Sequence, residues 1–67
     1  MNDNMKLGRN IANLRQAKKM TQKELANSTR LSKSYIAAIE EGIKRPRITT
    51  LTRIAECLDI ELEDLLK

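Results

Sequence analysis

The residue types in this chain suit anion binding better than catalysis. There is no His, and the one cysteine, Cys57, has no partner for a disulfide. The usual general base is missing, and no Ser–His or Cys–His pair can form. A zinc motif needs more Cys and His than are present. The only glycines are Gly8 and Gly42, so no Gly-rich phosphate loop exists. These absences argue against an enzyme and imply neither cofactor nor metal. What remains is a set of cations and amides that can donate to anionic oxygens: Lys23, Arg30, Lys33, Lys44, Arg45 and Arg47, with Gln22 and Asn10. The charge is uneven. Residues 1–47 carry 11 Lys/Arg against 4 Asp/Glu, whereas residues 48–67 carry 2 against 5. The basic part points to a polyanionic partner, and the acidic part would face away from it.

A chain of 67 residues is expected to form a single domain, 1–67, with a thin core spanning about residues 6–66. The periodicity predicts an all-α fold with five helices and no strand. Helix one is expected over Met5–Lys19, with Leu7, Ile11 and Leu14 at helical spacing. Helix two starts at Thr21, which forms a T-x-x-E capping box with Glu24, and stops near Ser28 or Thr29. Met20 and Leu25 make a hydrophobic staple across that cap, and Leu31 and Ile36 repeat it at the next helix. Helix three is capped by Ser32 and ends before Gly42, a good left-handed C′ residue. Pro46 interrupts the loop Ile43–Ile48. Helix four is expected to be capped by Thr49 or Thr50 and to place Leu51, Ile54, Ala55 and Leu58 on one stripe, ending near Asp59. Cys57 lies beside that stripe and reads as a small buried hydrophobe. Helix five covers Glu61–Leu66. No apolar run is long enough to span a membrane. Met1–Asn4 is polar and shows no signal-peptide pattern, so a cytoplasmic setting is expected.

The run Thr21–Gly42 therefore reads as two short helices joined by a tight turn, which is what a helix-turn-helix needs to lay its second helix in the major groove of DNA. With Ile36, Ile39 and Glu40 turned inward, Ser34, Ala37, Ala38 and Glu41 point outward and Tyr35 lies on the flank. Lys33 sits in the first turn, where a cation opposes the helix dipole, and it can donate to guanine O6 and N7. Ser34 can meet a base edge or a phosphate. Ala37 and Ala38 allow close approach to a thymine methyl. Tyr35, the only aromatic residue, can meet the groove wall or pack on helix two. The base-reading set is thus Lys33, Ser34, Tyr35, Ala37 and Ala38. Gln22, at the positive end of helix two, stands beside free amides that can hold a phosphate. With Lys23, Asn10, Arg30, Lys44, Arg45 and Arg47 it forms the expected phosphate set, which fixes register and affinity rather than sequence.

The segment TQKELANSTRLSKSYIAAIEEG, followed by a basic Pro-containing loop and LTRIAECLDIELEDLL, resembles the phage repressor/Cro-type (XRE) helix-turn-helix family. It is also similar to the controller proteins of restriction–modification systems and to the DNA-binding domain of sporulation-type repressors. The likeness covers about residues 6–66. It rests on Leu14, Arg15, Gln22, Leu25, Ala26, Ser32, Ile36, Ile39, Glu40, Gly42, Pro46, Leu51 and Leu58. It implies a repressor-like domain that binds double-stranded DNA, usually as a two-fold dimer, with Ser32–Glu41 as recognition helix. It implies that Gln22 clamps the DNA backbone, and that Arg15 and Glu40, both on inward faces, form a partly buried ion pair. Two positions depart from the pattern. Arg30 stands where the turn usually holds Gly, and Glu61 caps the last helix in place of Ser or Asp.

The expected function is a sequence-specific transcriptional regulator, repressor or controller. An antitoxin bound to a toxin, or an adaptor that binds protein through the same fold, is the alternative. A homodimer is expected through helix five and the end of helix four, where Ile60, Leu62, Leu65 and Leu66 exceed what one small core needs.

Overall fold

A computed structural model describes residues 3–67; Met1 and Asn2, part of the polar start read above, lie outside the described residues. Five α-helices follow in order: α1 Asp3–Ala17, α2 Gln22–Thr29, α3 Lys33–Glu40, α4 Ile48–Cys57 and α5 Leu62–Leu66. No strand occurs among the described residues. α1 packs on α3 and α5, α2 packs on α3 and α4, and α4 packs on α5.

Local chemistry accounts for the boundaries. α1 ends earlier than its periodicity suggests because Lys19 turns left-handed, at φ 57°, and Met20 N–H folds back to the Arg15 carbonyl at 3.1 Å. α2 has its box: Thr21 Oγ1 accepts from Glu24 N–H at 3.0 Å, and Thr21 N–H donates to Glu24 Oε1 at 2.8 Å. α4 corrects the expected threonine cap. Its N-cap is Arg47, the last extended residue after Pro46, and no side chain caps it; Thr49 and Thr50 fall inside the first turn. Asp59, at φ 59°, ends the α4 region as expected. α5 begins after Glu61, whose N–H donates to Asp64 Oδ2 at 3.2 Å, so a residue inside the helix supplies part of the missing cap.

The core consists of Leu7, Ile11, Leu25, Ala26, Ile36, Ile39, Leu51, Ile54, Ala55, Leu58 and Leu65, with Leu14, Met20, Leu31, Tyr35, Cys57, Ile60 and Leu62 packed around it. Each large aliphatic side chain buried here contributes about 1.5–3 kcal/mol. Leu65 corrects the expected dimer surface. It is fully buried within its own protomer, because α5 is only five residues long and must turn this leucine inward to dock at all. Leu66 stays 45% exposed, and Ile60 and Leu62 are half-buried.

Candidate nucleic-acid interface

Helix α3 is held by its buried side and displays the other. Ser32 Oγ accepts from Tyr35 N–H at 3.1 Å, which starts the helix. Ile36 and Ile39 are buried, whereas Lys33 and Ser34 are exposed in the first turn. The Ser34 hydroxyl lies 3.3 Å from that of Ser32, so the two share a hydrogen bond. Ala37 and Ala38 are half-buried, and Glu41 is exposed. Tyr35 is half-buried and packs against the core, the arrangement expected of a flank residue. Gly42, at φ 79°, closes the helix, and Ile43 N–H returns to the Ala38 carbonyl at 2.9 Å.

The turn before α3 runs through Arg30, at φ 62° and ψ 36°. A left-handed non-Gly residue costs about 1–2 kcal/mol. Three contacts fix this turn. Leu31 N–H donates to the Ala26 carbonyl at 2.8 Å. The buried Thr29 hydroxyl donates to the Leu25 carbonyl at 2.8 Å. The Arg53 guanidinium, from α4, donates to the Thr29 carbonyl. With its backbone spent on the turn, Arg30 keeps an exposed side chain.

Gln22 and Lys23 occupy the first turn of α2, where backbone N–H groups lack intrahelical partners and can meet an anion. Lys23 is exposed, and Gln22 is half-buried. Gln22 Nε2 donates to Glu40 Oε1 at 2.9 Å. Arg15 Nε donates to Glu40 Oε2 at 2.7 Å, Arg15 Nη2 to Oε1 at 3.1 Å, and Arg15 Nη1 to the Met20 carbonyl at 2.7 Å. One guanidinium thus ties α1 to the end of α3 and to the entrance of α2. Beyond α3, Lys44, Arg45 and Arg47 are exposed, while Pro46 between them is buried and anchors the loop. Arg45 Nη1 donates to Asn4 Oδ1 at 3.3 Å.

Asn10 is half-buried, and its Nδ2 donates one hydrogen to the Leu65 carbonyl at 2.9 Å, joining α1 with α5. Three structural roles escaped sequence reasoning. Gln22 bonds to Glu40 as well as sitting at a helix start. Arg53 braces the turn. Gly8 is buried where a Cβ would stand 2.6 Å from the Glu40 carbonyl oxygen. Gly8 carried a signal: glycine inside a helix costs about 1 kcal/mol relative to alanine, so its presence there marks close approach.

No helix among the described residues is long and apolar enough to cross a membrane. The helix-turn-helix family model matches residues 11–65. The immunity repressor of Bacillus phage phi105 is 38% identical over 58 residues, 87% of this chain, and this chain spans 40% of that repressor's length. The restriction–modification controller C.AhdI of Aeromonas hydrophila superposes with a TM-score of 0.91 at 33% identity, covering 94% of this chain and 96% of that one. The biofilm master regulator SinR, in complex with DNA, superposes at 0.86 with 31% identity, covering 91% and 98%. With its helix pair, its capped second helix and a match over most of its length, the chain belongs to the helix-turn-helix family.

Proposed function

We propose that this chain is a sequence-specific regulator of transcription that reads an operator in the major groove with helix Ser32–Glu41. One observation carries the reading: exposed cations bracket α3 at both ends. Arg30 and Lys33 stand at its start, Lys44, Arg45 and Arg47 follow its end, and Gln22 is bonded to its last residue. Between them the helix offers Lys33 and Ser34 at its entering end, then the small Ala37 and Ala38. In this reading Lys33, Ser34, Tyr35, Ala37 and Ala38 meet base edges, and Gln22, Lys23, Arg30, Lys44, Arg45 and Arg47 meet phosphates. The protein acts in the cytoplasm as a homodimer, two half-sites joined by symmetry compensating for the few contacts of one small domain. The exposed Leu66 with the half-buried Ile60 and Leu62 supplies the apolar part of the dimer surface.

The test is selection from randomised duplex DNA across a salt series. Enrichment of an inverted repeat is expected, with affinity falling steeply as salt rises, at a slope of about −0.9 per neutralised phosphate. Binding that stays flat with salt and enriches no sequence overturns the reading and turns attention to a protein partner, a toxin included.

A further inference from the structure

Glu40 closes α3, and its side chain is only 6% exposed. A carboxylate there would be a poor neighbour for DNA. Arg15 removes that difficulty by donating to both its oxygens, at 2.7 and 3.1 Å. What remains is a neutralised acceptor that also receives Gln22 Nε2 at 2.9 Å.

That third bond fixes an orientation. An ionised carboxylate only accepts hydrogen bonds, so the Gln22 amide must turn its nitrogen, not its oxygen, toward Glu40. The amide nitrogen carries two hydrogens, and Glu40 takes one. A free glutamine on a helix start can flip, and in the flipped state its carbonyl oxygen would oppose a phosphate oxygen. We infer that Glu40 is a positioning residue for Gln22: by accepting one amide hydrogen it holds the amide in the single orientation that offers the second to a DNA phosphate. The inference rests on the proposal that Gln22 meets the DNA backbone. It goes further in giving the last residue of the recognition helix a task at the first turn of α2. The spacing between the base-reading helix and the backbone clamp is then set by one carboxylate.

A double-mutant cycle on operator DNA tests this, with concentrations corrected for the native fraction measured by circular dichroism. Gln22→Ala is expected to weaken operator binding about tenfold, as for a lost hydrogen bond to a charged group. Glu40→Gln is expected to weaken it severalfold in the wild-type background and by less than about twofold in the Gln22→Ala background, since a residue acting through Gln22 has nothing left to orient. Equal losses in both backgrounds would mean that Glu40 serves the fold alone and would overturn the inference. A second readout needs no variant. In the free wild-type protein one of the two Gln22 side-chain amide hydrogens, the one donated to Glu40, is expected to exchange with solvent markedly more slowly than its geminal partner. Equal, fast exchange of both hydrogens overturns the inference. A wild-type chain without operator preference overturns the regulator reading and the phosphate half of this inference, while the amide signals separately decide whether Glu40 fixes Gln22.

Discussion

Arg15 and Glu40 lie 25 residues apart in sequence, yet Nε and Oε2 meet at 2.7 Å with side chains 10% and 6% exposed. Such a pair is costly to bury and costlier to break. Arg15→Ala leaves the Glu40 carboxylate unpaired and also frees the Met20 carbonyl. The expected loss is about 3–5 kcal/mol in urea unfolding. Replacing both residues with well-packed apolar ones should recover most of that loss, which a cycle of single and double variants would show.

Lys33 is exposed in the first turn of α3, outside the hydrogen bonds and ion pairs that join the helices among the described residues. Lys33→Ala is therefore expected to leave the thermal midpoint unchanged. Operator affinity should fall by about 1–3 kcal/mol, with relaxed preference at one base pair of each half-site. Repeating the selection with the variant reads this directly. A uniform loss across all sequences would reassign Lys33 to phosphate.

Arg30 sets stability against binding. Its left-handed backbone is one that glycine adopts freely. Arg30→Gly is expected to stabilise the fold by about 1 kcal/mol while lowering the salt slope of DNA binding by about 1. Thermal unfolding and a salt titration of the same variant should move in these opposite directions. A variant that gains neither stability nor a shallower slope refutes the assignment.

Gly8→Ala gains helix propensity of about 1 kcal/mol. Against this, the new Cβ meets the backbone carbonyl oxygens of Ile39 and Glu40, the latter at 2.6 Å. Backbone cannot move aside as a side-chain tip can, so overpacking of about 1–3 kcal/mol should win. A net loss of stability is expected, accompanied by chemical-shift changes at the end of α3.

The end of α5 should respond to pH. The Asp64 carboxyl is held below the usual carboxylate value, first by its hydrogen bond with Lys67 and then by the Glu61 backbone N–H. Lys67 is raised by the same hydrogen bond with Asp64. A depressed acid contributes stability above its unfolded value and loses it as pH falls through the folded one. A raised amine contributes below its unfolded value and loses it as pH rises through the folded one. The tether therefore holds between the two titrations and slackens at either extreme. Lys67 is exposed and Asp64 partly so, so the effect is small and local. Protection of the Glu61 amide, taken relative to its intrinsic exchange rate at each pH, should fall as Asp64 protonates in acid, and Asp64→Asn should abolish that acid dependence.

Much of this architecture could be read from residue spacing. Leu51, Ile54, Ala55 and Leu58 repeat at helical intervals and are buried. Thr21 and Glu24 announce a helix start that the backbone obeys. The meeting of Arg15 with Glu40 came from family resemblance, because no local pattern joins residues on different helices. Leu65 and Asn10 show where reading stops. In a short helix rich in leucine, periodicity does not say which leucine the core will take; the docking angle of α5 on α1 decides it. Asn10 looks like any polar surface residue until the Leu65 carbonyl arrives beside it. Arg53 is equally silent in sequence, since its partner is a backbone oxygen.

The bond from Asn10 to the Leu65 carbonyl joins residues 55 positions apart, while α2 and α3 are neighbours along the chain. In kinetic terms the domain combines contacts of short and of very long sequence separation. Local pairing of the central helices closes short loops, whereas seating α5 on α1 must close nearly the whole chain at greater entropic cost. The helix-turn-helix can therefore assemble before the ends meet. Seating Leu65 then completes the core and shuts the ring.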